Sequence, residues 1–281
     1  MVKIAADSTV DLGALTKDRD IHIIPLTVVL GDKTYYDGVT TGPNDILAHV
    51  EKTGVLPKTA ARSVEEFKEF FEGLTRDGSG VVCFTISSKL SVTYENAVAA
   101  AKAFDNVYVV DTMSLSTGGG LVAMYGCDLR DSGKYGAKEI YERCKARVPR
   151  VQASFFVDTM EFLHKGGRCS GLTSFVAGVL KLKPQLLLKD GKIVVGKKFV
   201  GAAEKICTKY TDSIFEMFDK PDLTRVFITH TSAAPEVVRL VREAVEKAHP
   251  FNEIIETVAG GTVTCHCGKG TLGVLYINDG E

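Results

Sequence analysis

GVVCFTISSKLSVTYENAVAAAKAF, residues 80–104, carries the main signal for the architecture of this chain. Its first seven residues form an apolar run, which is typical of a strand buried on both faces. A short polar segment follows, and residues 91–104 then show the pattern of a helix. A buried strand that leads directly into a helix predicts a βαβ unit and therefore a largely parallel sheet.

The same alternation continues on both sides of this stretch. Towards the N-terminus, VKIAA (2–6) and HIIPLTVVL (22–30) predict strands, and Ser63 with Glu66 three residues later forms a capping box for a helix over 63–76. Towards the C-terminus the predicted elements are the strand VYVVD (107–111), a helical stretch from about Leu115, the helix AKEIYERCKARV (137–148) and the strand VQASFFV (151–157). We therefore predict a first α/β domain with a mainly parallel sheet over residues 1–155.

After Val157 the pattern changes, and we predict a second α/β domain with a mixed sheet over residues 156–281. PQLLLKDGKIVV (184–195) indicates a hairpin that turns at Asp190-Gly191. The other predicted elements are short helices in TMEFLHKGGRCSG (159–171) and LTSFVAGVLKL (172–182), amphipathic helices over 204–220 and 235–248, and strands in RVFITH (225–230), NEIIETV (252–258), GTVTCH (261–266) and LGVLYIN (272–278).

Composition excludes several classes of protein. With 45% hydrophobic and 25% charged residues the chain has the composition of a globular protein. Its 34 Lys and Arg residues nearly balance 35 Asp and Glu residues, and no basic stripe with interleaved aromatics predicts a nucleic-acid partner. No segment approaches the roughly 18 uncharged apolar residues of a spanning helix, so we expect no membrane insertion. The N-terminus does not resemble a signal peptide, and seven scattered cysteines suit reduced thiols, so we expect a cytoplasmic location.

Cys265, His266 and Cys267 stand in a row and raise the question of a metal site. In the predicted strand the two cysteines share one face and His266 points to the other. A closed zinc site usually draws two ligands from each of two segments, and no second pair such as C-x-x-C exists in the chain. We therefore expect no metal, two cysteines that act as buried hydrophobes, and His266 facing a cleft. Zinc binding through Cys265 and Cys267 is the alternative.

Hydroxyl-rich loops follow three of the predicted parallel strands. Because strand C-terminal ends meet at one edge of such a sheet, these loops favour a polar pocket there. Ser91 is a natural helix N-cap; alternatively, the helix N-terminus beside it receives a carboxylate or phosphate. The loop residues are Asp7, Ser8 and Thr9; Ser87, Ser88, Ser91 and Thr93; and Asp111, Thr112, Ser114, Ser116 and Thr117.

The segment HKGGRCSG (164–171) allows two interpretations. Gly166 and Gly167 end a helix beside a solvated arginine, or they let the backbone approach a ligand while Arg168 binds a carboxylate or phosphate oxygen. Composition leaves both open. No Ser-His-Asp order, nucleophile elbow or catalytic carboxylate pair is recognisable in the sequence.

Seven motifs occur in a fixed order over nearly the whole chain: DSTVDL (7–12), IIPLTVVLGDKTYYDG (23–38), PKTAARS (57–63), SSKLSVTYENA (87–97), FLHKGGRCSG (162–171), LKLKPQLLLKDGKI (180–193) and HCGKGTLGVLY (266–276). Together they resemble the DegV family of bacterial fatty-acid-binding proteins. The resemblance implies two α/β domains that hold one long-chain fatty acid in the cleft between them. It also implies a non-enzyme without a cofactor that acts as the lipid-presenting subunit of a fatty acid kinase system. A partner kinase would then convert the bound carboxylate to an acyl phosphate.

The resemblance also implies where the ligand binds. Thr59 and Ser91 would hold the carboxylate with His266 close by, and Arg168 would lie near the head group at the domain interface. The full predicted ligand-binding set is Thr59, Arg62, Ser91, Thr93, Gly167, Arg168 and His266.

The sequence departs from the family pattern in four places. Ala60, Ala61 and Arg62 replace the residues that usually follow Thr59, Val92 replaces a glycine, and Lys269 replaces a proline. An arginine that the family links to kinase docking is absent from residues 189–204.

The alternative function is an enzyme for a small carboxylated or phosphorylated substrate, with His266 as acid/base and Arg168 binding the anion.

Overall fold

The computed structural model describes residues 1–169 and 182–279. Within them the chain forms three β-sheets with helices packed on their faces. The predicted helix in LTSFVAGVLKL lies outside the described residues except for Leu182.

The first sheet has four strands in the order β2-β1-β6-β7, and every pair is parallel. Its strands are β1 (Val2–Asp7), β2 (Ile21–Ile24), β6 (Gly80–Thr85) and β7 (Val107–Asp111). One face packs on α3 (Val64–Thr75) and α4 (Thr93–Ala101), and the other on α5 (Thr117–Asp131) and α6 (Ala137–Arg147). Because both faces are covered, β6 is apolar without alternation, and the predicted parallel sheet is confirmed.

The predicted strand over 22–30 is wrong as a single element, because the chain divides it at Pro25 between two sheets. Proline has no N–H to donate and is disfavoured inside a strand. β3 therefore leaves the parallel sheet and forms the centre of a small antiparallel sheet in the order β4-β3-β5. The elements of this region are α1 (Leu15–Asp18), β3 (Thr27–Leu30), β4 (Lys33–Tyr36), α2 (Pro43–Thr53) and β5 (Lys58–Ala60).

The third sheet is mixed and has six strands in the order β10-β9-β8-β13-β11-β12. β11 and β12 run parallel, and the other pairs are antiparallel. The predicted hairpin is present, with positive φ at both Asp190 and Gly191 as a tight two-residue turn requires. The elements are β8 (Val151–Phe156), α7 (Glu161–Gly166), β9 (Leu182–Lys189), β10 (Lys192–Val200), α8 (Ala203–Met217), β11 (Arg225–His230), α9 (Pro235–Ala248), β12 (Glu253–Val258), α10 (Gly261–Cys267) and β13 (Leu272–Ile277).

The strand predicted over 261–266 is wrong, because these residues form helix α10. Its β-branched residues favour a strand locally. The Asp37 carboxylate, however, accepts hydrogen bonds from the backbone N–H groups of Gly261 (2.7 Å) and Thr262 (3.1 Å). Asp11 accepts a further bond from Gly260 N–H (2.8 Å). These carboxylates from the first domain satisfy the free N–H groups at the helix start, because the N-cap residue Gly260 has no side chain that could do so.

The two domains share an extensive interface. Helix α5 contacts β1 and β6 of the parallel sheet and also β8 and β13 of the mixed sheet. The predicted boundary at residue 155 falls inside β8, which pairs with β9 and β13. The boundary itself stays a prediction.

Candidate functional site

A cavity of about 630 Å³ lies between the two domains. Its charged and most of its polar lining residues are exposed or half-buried, and the exposed ones define its mouth; its buried lining residues are apolar except for Thr262. A volume of this size is typical of sites for small organic ligands. The exposed lining residues are Ala60, Lys89, Val92 and Arg168; the half-buried ones are Thr59, Ala61, Ile86, Ser88, Leu90, Ser91, Asn96 and His266; and the buried ones are Leu26, Leu115, Ile193, Thr262, Val263 and Cys267.

His266 and Thr59 meet in the wall of this cavity, although 207 positions separate them in the sequence. The Nε2 atom of His266 is hydrogen-bonded to Thr59 Oγ1 at 2.9 Å. Burial, helped by the nearby positive charge of Arg168, lowers the pKa of His266 to about 4. The imidazole is therefore neutral near pH 7, and the pair offers uncharged hydrogen-bonding groups to a ligand.

The glycine pair beside Arg168 has two separate structural roles. Gly166 packs against the imidazole so closely that an added Cβ would lie 2.7 Å from His266 Nδ1. Gly167 ends α7 in a left-handed conformation, with φ of 67°. The pair thus ends the helix and makes room for the histidine ring.

Ser91 lines the cavity and also helps to start α4. The N-cap of α4 is Val92, so the prediction that Ser91 is the N-cap is off by one residue. The Ser91 hydroxyl is hydrogen-bonded to Thr93 Oγ1 (2.8 Å) and accepts a long bond from Thr93 N–H (3.3 Å). Thr93 is fully buried and does not line the cavity, so its hydroxyl orients Ser91.

Of the remaining predicted site residues, one lies at the mouth of the cavity and the others lie outside its lining. Arg168 lies at the mouth, where its Nη1 donates to the Gly166 carbonyl at 2.6 Å. Gly167 lines an adjoining recess instead of this cavity. Arg62 points away from the cavity, because its guanidinium pairs with Glu66 (2.9 Å) and lies over the Tyr36 ring (4.6 Å from the centroid). The structure thus brings Thr59, Ser91, Arg168 and His266 together, and leaves Arg62, Thr93 and Gly167 outside the lining.

The polar side chains of the two other hydroxyl-rich loops do not line this cavity, although Leu115 of the loop over 111–117 does. Their side chains bind to buried carboxylates and to each other: Ser116 Oγ donates to Asp11 (2.6 Å), and Ser8 Oγ donates to Asp37 (2.9 Å). Asp7 accepts the N–H of Ile86 at 2.7 Å. Burial raises the pKa of both Asp7 and Asp11. These loops therefore stabilise the sheet edge and the start of α10.

Comparison with known proteins assigns the chain to a family. The model of the family described as "Uncharacterised protein, DegV family" matches residues 1–279. The chain belongs to the DegV family. It is 26% identical to Protein DegV of Bacillus subtilis over 278 residues, covering 98% of each chain. It is 32% identical to the Fatty acid-binding protein of Thermotoga maritima over 280 residues, covering 97% of this chain and 96% of that protein.

Solved DegV structures share the whole fold. A fatty-acid-binding DegV-family protein from Thermus thermophilus superposes with a TM-score of 0.90 at 26% identity, and each chain is covered to 99%. A DegV lipid-binding protein from Thermotoga maritima has a TM-score of 0.85 at 30% identity, covering 100% of this chain and 99% of that chain. The predicted family and the predicted two-domain α/β fold are confirmed.

Most of the cavity wall of this DegV-family chain was not predicted. Leu26, Leu115 and Ile193 come from three separate loops or strands, and no periodic pattern links them. Thr262 and Val263 reach the cavity because α10 is a helix, which places them one turn before His266 and Cys267. The i, i+4 spacing of Thr262 and His266 would have indicated that both face the cavity if this segment had been predicted as a helix. The predicted strand places them differently.

The cysteines beside His266 belong to separate hydrophobic clusters. Cys265 packs with Val28 and Ile46, whereas Cys267 packs with Leu115 and its neighbours. Burial raises the pKa of both thiols, that of Cys267 to about 12. Over residues 1–169 and 182–279 no three His, Cys, Asp or Glu side chains are grouped to hold a metal ion. In the same ranges no helix is both long and apolar enough to cross a bilayer.

Proposed function

We propose that this DegV-family chain binds one long-chain fatty acid in the cavity between its domains. The observation that carries the proposal is a cavity of about 630 Å³ whose exposed and half-buried lining includes hydroxyl, imidazole and cationic groups, and whose buried lining is apolar except for Thr262. An amphiphile with one polar end and a long hydrocarbon tail matches that distribution. The relatives from Thermotoga maritima and Thermus thermophilus, which are described as fatty-acid-binding, support the same ligand class.

The apolar wall supplies the affinity. Each buried CH₂ group contributes about 0.8 kcal/mol, so a long acyl chain gains on the order of 10 kcal/mol before the cost of ordering it. The polar groups mainly orient the ligand. A carboxylate in the cavity would accept hydrogen bonds from the hydroxyls of Thr59 and Ser91, with the Nε2–H of His266 donating to Thr59 Oγ1, and the cations Lys89 and Arg168 at the mouth would favour its negative charge.

The carboxylate so placed would be presented to a separate kinase. A carboxylate oxygen would attack the γ-phosphorus of ATP held by that kinase, releasing ADP and forming an acyl phosphate. This chain would supply position and no catalytic residue. A cytoplasmic location, where ATP is available, belongs to the same proposal, and the free buried thiols of Cys83, Cys127, Cys144, Cys207, Cys265 and Cys267 support it.

The arrangement of the site favours binding over the alternative of a small-substrate enzyme. With its pKa lowered to about 4, His266 is a weak general base near neutral pH. Among the described residues that line the cavity there is no Asp or Glu to assist it.

Denaturing mass spectrometry of the purified protein tests the ligand. We expect a fatty acid of fourteen to eighteen carbons to be released, or to be taken up after delipidation. Protein that neither carries nor takes up such an acid would contradict the proposal. The kinase step is tested by incubating the loaded protein with ATP and a candidate kinase, and by trapping the acyl phosphate with hydroxylamine. A hydroxamate formed without the kinase would refute the non-catalytic role.

A further inference from the structure

One buried hydroxyl in the cavity wall has no function in the site described above. Among the six buried lining residues in the described part of the chain, Thr262 alone carries a hydroxyl. Thr262 is 5% exposed, and its Oγ1 atom has no hydrogen-bond partner. The neighbouring lining residues Val263 and Cys267 offer it none.

An unpaired buried hydroxyl is costly, and its neighbours show how such groups are usually satisfied. Thr264, two residues further along α10, is also buried, but its Oγ1 donates to the Ala259 carbonyl (3.4 Å). Thr271 Oγ1 donates to the Cys267 carbonyl at 2.9 Å. Thr262 thus differs from both threonines in lining the cavity and in lacking a partner.

The position of Thr262 relates it to the proposed head-group site. Thr262 and His266 are four residues apart on α10, which places their Cβ atoms about 5–6 Å apart on one face. The Oγ1 atom of Thr262 is inaccessible and does not face the cavity in the structure. Rotation about χ1, which exchanges the methyl and hydroxyl groups of a threonine between staggered positions, would turn the hydroxyl to the cavity. An extended chain advances about 1.2 Å per bond, so this separation corresponds to about four or five bonds of a ligand.

We propose that the cavity prefers a fatty acid that carries a hydroxyl group on its carboxylate-proximal carbons, with Thr262 as the hydrogen-bond partner of that hydroxyl. The inference rests on the proposed function, because it uses a carboxylate held near His266. An unsubstituted chain leaves the Thr262 hydroxyl unpaired beside CH₂ groups. A hydroxylated chain pairs two groups that would each otherwise be buried without a partner.

Isothermal titration calorimetry on the delipidated protein tests this preference. The ligands are hexadecanoic acid, four hydroxyhexadecanoic acids with the hydroxyl on the β, γ, δ or ε carbon, and the ω-hydroxy acid as a positional control. We expect at least one proximal hydroxy acid to bind about three- to tenfold more tightly than hexadecanoic acid, and the ω-hydroxy acid to gain nothing. Thr262→Val, which keeps the shape and removes the hydroxyl, should abolish the preference.

Two further variants keep the test decisive. Thr262→Ser retains the hydroxyl and should retain the preference, and Thr264→Val on the same helix should leave it unchanged. A preference that survives in Thr262→Val, or no preference in the wild-type protein, would overturn the inference while hexadecanoic acid still binds. If neither plain nor hydroxylated acids bind to the wild-type protein, the proposed function fails and the inference fails with it.

Discussion

His266 is a neutral hydrogen-bonding group because of its surroundings. Its ring is half-buried between Gly166 and the cavity, and its Nε2 is bound to Thr59. Burial opposes the charged form, and Arg168 adds repulsion. A neutral imidazole can donate its Nε2–H to Thr59, whose hydroxyl is then free to donate to a carboxylate, without an ion pair. This suits the proposed ligand, whose carboxylate would be presented to a kinase.

The lowered pKa of His266 predicts a pH dependence of stability. The folded protein has a His266 pKa of about 4, against 6.5 in the unfolded chain. Between these values the unfolded state binds more protons, so the free energy of unfolding falls as pH decreases from 6.5 to 4, by up to about 3 kcal/mol. Above pH 6.5 the full contribution is present. Urea unfolding of the ligand-free protein at a series of pH values measures it.

Comparison with a variant isolates this contribution. We expect His266→Gln to be less sensitive to pH in that window, whereas His164→Gln on α7 should behave like the wild type. Asp7 and Asp11 have raised pKa values and therefore the opposite dependence, but they are present in every variant, so their effect cancels in the difference. Equal slopes for the wild type and His266→Gln would contradict a buried neutral histidine.

Ser91 provides a direct test of the head-group position. Its hydroxyl lines the cavity and is oriented by Thr93. We expect Ser91→Ala to bind fatty acid roughly tenfold more weakly, because a hydrogen bond to a charged carboxylate contributes about 1.5 kcal/mol or more. Ser132→Ala, outside the cavity, is the control. Unchanged ligand retention in Ser91→Ala, measured with an intact fold, would place the carboxylate elsewhere.

Helix α7 ends at two adjacent glycines, Gly166 and Gly167, whose replacement by alanine should have different effects. In Gly166→Ala the added Cβ meets His266 Nδ1, so we expect ligand affinity to fall and the free energy of unfolding to decrease by about 1–3 kcal/mol through overpacking. In Gly167→Ala the added Cβ meets no atom within 4 Å, but φ is positive. We expect that variant to lose about 1 kcal/mol of stability and to keep its affinity.

Calorimetry with hexadecanoic acid and urea unfolding distinguish the two glycine variants. The decisive quantity is affinity, since both variants lose stability. Equal affinities in Gly166→Ala and Gly167→Ala would show that the imidazole does not need the space beside Gly166.

Helix α10 depends on acceptors from the other domain. The Asp37 carboxylate binds the N–H groups of Gly261 and Thr262, and Asp11 binds that of Gly260. The same helix carries His266 and Thr262 into the cavity. Contact between the domains therefore determines both the start of α10 and the position of its cavity-facing side chains.

Removing the Asp37 carboxylate tests this dependence. Asp37→Ala leaves two buried N–H groups and the Ser8 hydroxyl without their acceptor, so we expect the free energy of unfolding to fall by about 2 kcal/mol and ligand affinity to fall with it. Asp45→Ala removes an exposed capping carboxylate from α2 and should cost less than about 1 kcal/mol without affecting binding. Similar losses in the two variants would argue against a special role for Asp37.

Elements whose signals are local could be predicted from the amino-acid sequence. The capping box at Ser63 and Glu66 starts α3 as expected, and α9 has the predicted bounds Pro235–Ala248. The turn at Asp190-Gly191 is also present. In each case the groups that satisfy the backbone or set its dihedral angles lie within a few residues, so the pattern contains the cause. The unbroken apolar run of β6 likewise indicates a strand that is covered on both faces.

Other features depend on contacts between residues that are far apart in the sequence, so only the folded structure determines them. The acceptor that starts a helix at the β-branched residues 262–264 is Asp37, 224 positions before Gly261. Thr59 meets His266 across 207 positions, and Arg62 leaves the site because Glu66 and Tyr36 bind it. Local order thus follows from side-chain shape, backbone preference and neighbouring hydrogen bonds. The site follows from which buried donors, acceptors and charges find partners when the two domains pack together.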